Sequence, residues 1–142
     1  MVKANELRVN SHVKHVNENG VFYFDVIEIL AKGVNVIHNG SIWFIKYEDL
    51  TPIPLTEELL IKAGCKIYIG KIKTYGHQWY EIPQSPYQIA RYLIRIVSSK
   101  AHIGICYNDE PDNIYAFAWE IETLHRLQNI THALTNTELT VK

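Results

Sequence analysis

Cysteine is scarce in this chain. Cys65 and Cys106 are the only two, too few for a disulfide framework or a four-thiolate zinc site. Seven glycines are scattered singly, so no loop resembles a phosphate cradle. Neither sign of charge dominates: 14 Lys and Arg stand against 15 Asp and Glu, for a formal net charge of -1. Nothing in that balance advertises a polyanionic partner. No run approaches the ~20 apolar residues of a membrane helix, and Met1 to Arg8 lacks the apolar stretch of a secretory signal. No membrane partner is therefore expected, and the cytoplasm is the expected location. Without that signal, the glycosylation patterns at Asn39-Gly40-Ser41 and Asn129-Ile130-Thr131 read as chance matches.

What is present is an ordinary globular composition, 47% hydrophobic and 11% aromatic over 142 residues, enough for one domain or two very small ones. Isoleucine and valine outnumber leucine and alanine, which favours pleated strands over helix interiors. Val13 to Val16, Val21 to Leu30, Val34 to His38 and Ile42 to Lys46 are apolar segments divided by turn residues. Asn39-Gly40 suits a two-residue type I′ hairpin. Phe22, Phe24 and Val26 share one strand face, Val21, Tyr23 and Asp25 the other, and the switch at Ile27 and Ile29 calls for a bulge near Asp25 to Ile27. Residues 1–55 thus predict an SH3-like small β-barrel.

Pro52 and Pro54 break the pattern. Thr56 then caps a short helix that Gly64 closes. Lys66 to Lys73 and Trp79 to Ile82 read as an antiparallel pair, with a bulge at Gly70. Tyr92 to Val97 and His102 to Tyr107 read as a hairpin across Ser98-Ser99-Lys100, with a helical turn near Pro86 to Ala90. A helical periodicity over 86–97 competes with that reading. Asn113 to Trp119 reads as a strand, and Leu124, Leu127, Ile130 and Leu134 form the stripe of a final helix ended by Asn136. Glu138 to Val141 predicts a last strand. The expected class is β-rich α+β, with residues 56–142 an antiparallel sheet carrying a short helix and a C-terminal helix.

Three blocks carry a resemblance: Lys3-Ala4-Asn5-Glu6-Leu7-Arg8-Val9, Leu50 to Glu58 through Pro52-Ile53-Pro54-Leu55-Thr56, and Leu124-His125-Arg126-Leu127-Gln128-Asn129 followed by Ala133-Leu134-Thr135 and Glu138-Leu139-Thr140. They resemble the signatures of a family of small proteins encoded in phages, prophages and mobile elements of gut bacteria. The chain departs from that pattern at Leu59, Ala63 and Cys65, where larger aromatics are usual, and at Asn136, where glycine is usual. The resemblance implies a shared scaffold. Its setting implies an accessory or counter-defence factor acting on host machinery inside the bacterial cell.

The titratable residues offer no enzyme signature. His12 and His15 point to opposite faces of an extended chain, and His125 and His132 share a helix side without a carboxylate or cysteine at neighbouring helical positions. Ser41 and Ser85 lie in no nucleophile elbow. No catalytic residue, metal site or cofactor is expected. Tyr75, His77, Trp79, Tyr80 and Tyr87 cluster near Lys71, Lys73, Arg91 and Arg95, and Trp43 lies next to Phe44. Aromatics with arginine anchor protein interfaces, whereas aromatics with Lys and Arg also stack bases and meet phosphates; on a third reading Trp79 and Tyr80 fill the sheet core and the basic residues take the solvated side. Against the second reading, Asp109, Glu110, Asp112, Glu120 and Glu122 form an acidic stretch. The expectation is a non-enzymatic protein that occludes a host protein through Lys71, Lys73, Tyr75, His77, Trp79, Tyr80, Arg91, Arg95 and Trp43. A nucleic-acid or nucleotide-binding module is the alternative, and a structural, oligomeric phage component a third.

Overall fold

A computed structural model describes residues 2–68, 78–83, 89–110 and 113–141. The expected bulge at Gly70 and the helical turn at 86–90, apart from its last two residues, lie outside them. The chain divides into two compact units, one of Met1–Pro54 with Thr123–Ile130, the other of Leu55–Glu122 with Thr131–Lys142. Both are built on antiparallel sheets, giving a β-rich α+β protein. Among the described residues no helix is long and apolar enough to cross a membrane.

In the first unit β1 (His12–Asn17), β2 (Gly20–Ile29), β3 (Gly33–His38) and β4 (Ser41–Lys46) form a meander. A 3-10 turn at Tyr47–Asp49 then leads to β5 (Leu50–Thr51), which pairs with β1, so the sheet order is β4-β3-β2-β1-β5. The turn at Asn39-Gly40 has φ of 50° and 78° and closes the His38–Ser41 pair, as the type I′ geometry demands. Phe24 and Val26 are buried while Tyr23 and Asp25 are exposed, and the β2–β3 register shifts between Val26 and Glu28. That shift is the bulge that the change of apolar face requires. Val2, Leu7, Val13, Phe24, Val26, Val34, Val36, Ile45 and Leu50 make the core, with Phe22 and Tyr47 packed against it. No closed barrel is present among the described residues, where β4 and β5 remain the ends of the sheet.

The blocks at the two ends of the chain meet inside this unit. Helix α2 (Leu124–Thr135) begins in it. The Arg126 guanidinium donates to the Glu6 carboxylate, Asn129 Nδ2 donates to the Glu6 carbonyl at 2.6 Å, and Arg8 donates to the Gln128 carbonyl at 3.1 Å. Leu124 N–H donates to the Ile53 carbonyl at 2.9 Å, and Pro54 bridges Thr123. Residues far apart in sequence thus form one polar latch, which gives these blocks a structural role.

The second unit opens with α1 (Glu57–Lys62). Thr56 Oγ1 accepts from Leu59 N–H at 3.2 Å, and Gly64 leaves the helix at φ 88°. A second sheet follows, made among the described residues of β6 (Lys66–Ile67), β7 (Tyr80–Glu81), β8 (Ala90–Val97), β9 (Lys100–Tyr107) and β10 (Tyr115–Ile121), ordered β10-β9-β8-β7-β6. The β8–β9 pairing is unbroken from Ala90–Tyr107 to Val97–Lys100, across Ser98 and Ser99 at φ 51° and 65°. Strand alternation therefore wins over helical periodicity from residue 90 on. The expected strand at Glu138 to Val141 is absent: Thr137 N–H turns back onto Thr135 Oγ1 at 3.2 Å rather than onto a neighbouring strand, and Leu139 is buried without it.

Candidate interaction surfaces

In the second unit, pleat alternation decides which side of the sheet each residue occupies. Tyr80, Ile94, Ile103 and Ala101 share one side, while Glu81, Leu93, Gly104, Arg95 and His102 share the other. Trp79 packs on the latter side with Leu93 and Cys106, covered in part by Tyr68 and Ile114. The indole sits so close to the sheet that a Cβ on Gly104 would meet its ring at 3.1 Å. Trp79 is only 3% exposed and Tyr80 5%. These two residues therefore do not form exposed anchors but fill the core, the other place that the sequence leaves open to them. They are large apolar bodies in a small unit, and burial releases more free energy than exposure would.

The basic residues behave differently. Arg91 is exposed and pairs with Glu81 at 3.6 Å. The Arg95 guanidinium lies 4.9 Å from the centroid of the Trp79 ring, a cation–π arrangement that holds it over the indole. Lys71, Lys73, Tyr75 and His77 lie outside the described residues.

Trp43 belongs to the first unit, on the edge strand β4. It shares its side of the sheet with buried Val34, Val36 and Ile45, yet stays 42% exposed. Its ring meets His38 at 5.0 Å and Phe24 at 6.4 Å, and Phe22 and Phe24 stack at 6.2 Å behind it. On the opposite side Ile42 is 66% and Phe44 51% exposed, with Ile37 exposed as the cross-strand neighbour of Ile42. Phe44 reaches over Gly33, where a Cβ would stand 2.8 Å from its ring. This strand carries apolar groups on both faces and, among the described residues, a backbone edge that no strand pairs. The sequence reading named Trp43 but not Ile42 or Phe44, because simple alternation assigns one of the two aromatic neighbours to the core.

Burial and local hydrogen bonds set the surroundings of the thiols and histidines. Burial pushes the Cys65 thiol up to about 12 and, with the Cys106 sulfur 3.5 Å away, the Tyr68 phenol up to about 12 as well. His12 Nδ1 lies 2.7 Å from Asp25 Oδ1, while His15 Nδ1 meets the Asp49 carbonyl at 3.0 Å. The His12–Asp25 pair escaped the sequence reading because its members sit on different strands. The neighbouring Ser11 is buried, its Oγ accepting from Arg8 N–H at 3.0 Å. Among the described residues no group of three or more His, Cys, Asp or Glu could hold a metal ion. No family model, curated protein or solved structure matches the chain.

Proposed function

We propose that the chain is a non-enzymatic binding protein of mobile-element origin, an accessory or counter-defence factor that occludes a host protein. The observation that carries this reading is the edge of β4, where Ile42, Trp43 and Phe44 stand exposed beside a backbone edge that no strand pairs among the described residues. Such an edge offers hydrogen bonds to an extended segment of a partner and apolar contacts on both faces, the requirements of strand addition. Trp43 is held by His38 and Phe24, so it loses little freedom on binding. The finer architectural reading, an SH3-like fold for the first unit, draws support from the β4-β3-β2-β1-β5 order and the 3-10 turn before β5. The mobile-element setting rests on the three sequence blocks.

Capture of the tagged protein's partner from nuclease-treated host lysate tests this function. Ile42→Lys with Trp43→Ala should lose the retained protein while the circular dichroism spectrum stays unchanged. Capture that survives both substitutions would refute the assignment of the surface, and capture that disappears with nuclease alone would favour the nucleic-acid alternative.

A further inference from the structure

We propose that Arg95, laid on Trp79, is a receptor for a carboxylate carried by an acidic side chain of a protein partner. Three observations converge on it. The guanidinium is fixed over the indole at 4.9 Å. It meets no carboxylate among the described residues, whereas Arg91 on the same side of the sheet pairs with Glu81 at 3.6 Å and Lys100 with Glu120 at 2.8 Å. Finally, Arg95 Nε and Trp79 Nε1 are both sealed from solvent without a hydrogen-bond acceptor among the described residues, although buried N–H groups are almost always paired.

A stacked guanidinium is planar, permanently charged and weakly hydrated, so it is already arranged for bidentate contact with a carboxylate. Because Arg95 as a whole is only half-buried, its outer edge stays open to a ligand while its inner edge rests on the ring. Local charge decides which anion fits. On this side of the sheet the register sets His102 opposite Arg95 and Glu120 opposite His102. Arg91 pairs with Glu81 and Lys100 is shared between Glu120 and Glu122, so the charges around the site balance and Arg95 is the one cation of the three that meets no carboxylate among the described residues. A single carboxylate then meets less repulsion from Glu120 and Glu122 than a phosphate dianion or a run of backbone phosphates would. This site lies in the second unit and does not depend on the β4 edge.

The two N–H groups are sealed from solvent and serve as reporters. The protein, labelled with nitrogen-15, is titrated with the capped peptide acetyl-Ala-Glu-Ala-amide, with its Gln counterpart and with inorganic phosphate. Trp79→Phe assigns the indole signal and Arg95→Lys the guanidinium signal. The glutamate peptide should shift both resonances saturably, at concentrations at least tenfold below any response to the Gln peptide or to phosphate. Arg95→Lys keeps the charge but not the planar fork, and should abolish the shift of the Trp79 indole N–H. No shift, an equal response to the Gln peptide, or a response to phosphate at equal or lower concentration would overturn the proposal, as would a full indole shift in Arg95→Lys.

Discussion

Replacing Glu6 with Gln tests the latch that joins the two ends of the chain. Gln keeps the shape and leaves the Glu6 carbonyl free to accept from Asn129, but it removes the charge that accepts from Arg126 at 2.5 Å and faces His125 Nε2 at 3.6 Å. The Glu6 side chain is 20% exposed and that of Arg126 48%, so solvent screens the pair. Its contribution is then about 1 kcal/mol at neutral pH rather than the larger value of a buried charged hydrogen bond. For a chain of this size that corresponds to a fall of about 2–5 °C in Tm.

The pH dependence makes the test sharper. Arg126 holds the Glu6 carboxyl below the usual carboxylate range, and burial holds the His125 imidazole below its usual value despite the neighbouring carboxylate. The unfolded chain therefore takes up the histidine proton first. Stability from this group is complete above the usual imidazole pKa of about 6.5 and is lost as pH falls through it. Glu6 adds a contribution that is complete above about 4.5 and is lost as pH falls toward its lower folded value. In Glu6→Gln the second loss disappears. The first steepens, because protonated His125 no longer has a carboxylate beside it. Urea unfolding followed by circular dichroism from pH 8 to 3 should show a gap of about 1 kcal/mol at pH 7 that widens toward pH 5 and closes near pH 3. A variant equal to wild type at pH 7, or a gap unchanged at pH 3, would refute this reasoning.

Other positions give simpler tests. Gly104→Ala forces a methyl group against the Trp79 ring at 3.1 Å and against Ile114 at 2.6 Å, and should destabilise the second unit by about 1–3 kcal/mol in urea unfolding; a neutral substitution would mean that Trp79 is free to move. Thr56→Ala removes the acceptor for Leu59 N–H and should cost about 1 kcal/mol; an unchanged unfolding midpoint would discount the cap. Cys65 is buried, with its thiol pushed up to about 12, so iodoacetamide at pH 8 should alkylate it only in denaturant. Rapid labelling of the native protein would contradict that burial.

Local chemistry was the most legible part of the sequence. Asn39-Gly40, Thr56, Gly64 and Asn136 each act within a few residues, and the backbone geometry at all four is the geometry their side chains favour. The Val26–Glu28 register shift was readable because a change of apolar face has few causes. Partners across long sequence distances were not readable. Glu6 with Arg126, and Arg8 with Gln128, are separated by 120 residues, and no local pattern encodes such a pairing. The site was legible only in composition. Aromatic and basic residues near Trp79 look alike whether the ring faces solvent or the sheet, and the close approach at Gly104 decides for the sheet. Ile42 and Phe44 are exposed because they lie on the side of the sheet away from its core, as Ile37 does on the neighbouring strand, and the strand's own sequence, apolar on both faces, does not say which side that is.

The edge of β4 is the central claim, and quantitative competition tests it most directly. Unlabelled wild-type and Ile42→Lys proteins would each compete with tagged wild-type protein for the captured partner in nuclease-treated lysate. An interface anchored on this strand loses about 2 kcal/mol or more when a central apolar contact becomes a charge, which raises the competing concentration about 30-fold. Equal competition by the two proteins, with Ile42→Lys folded by circular dichroism, would contradict the account.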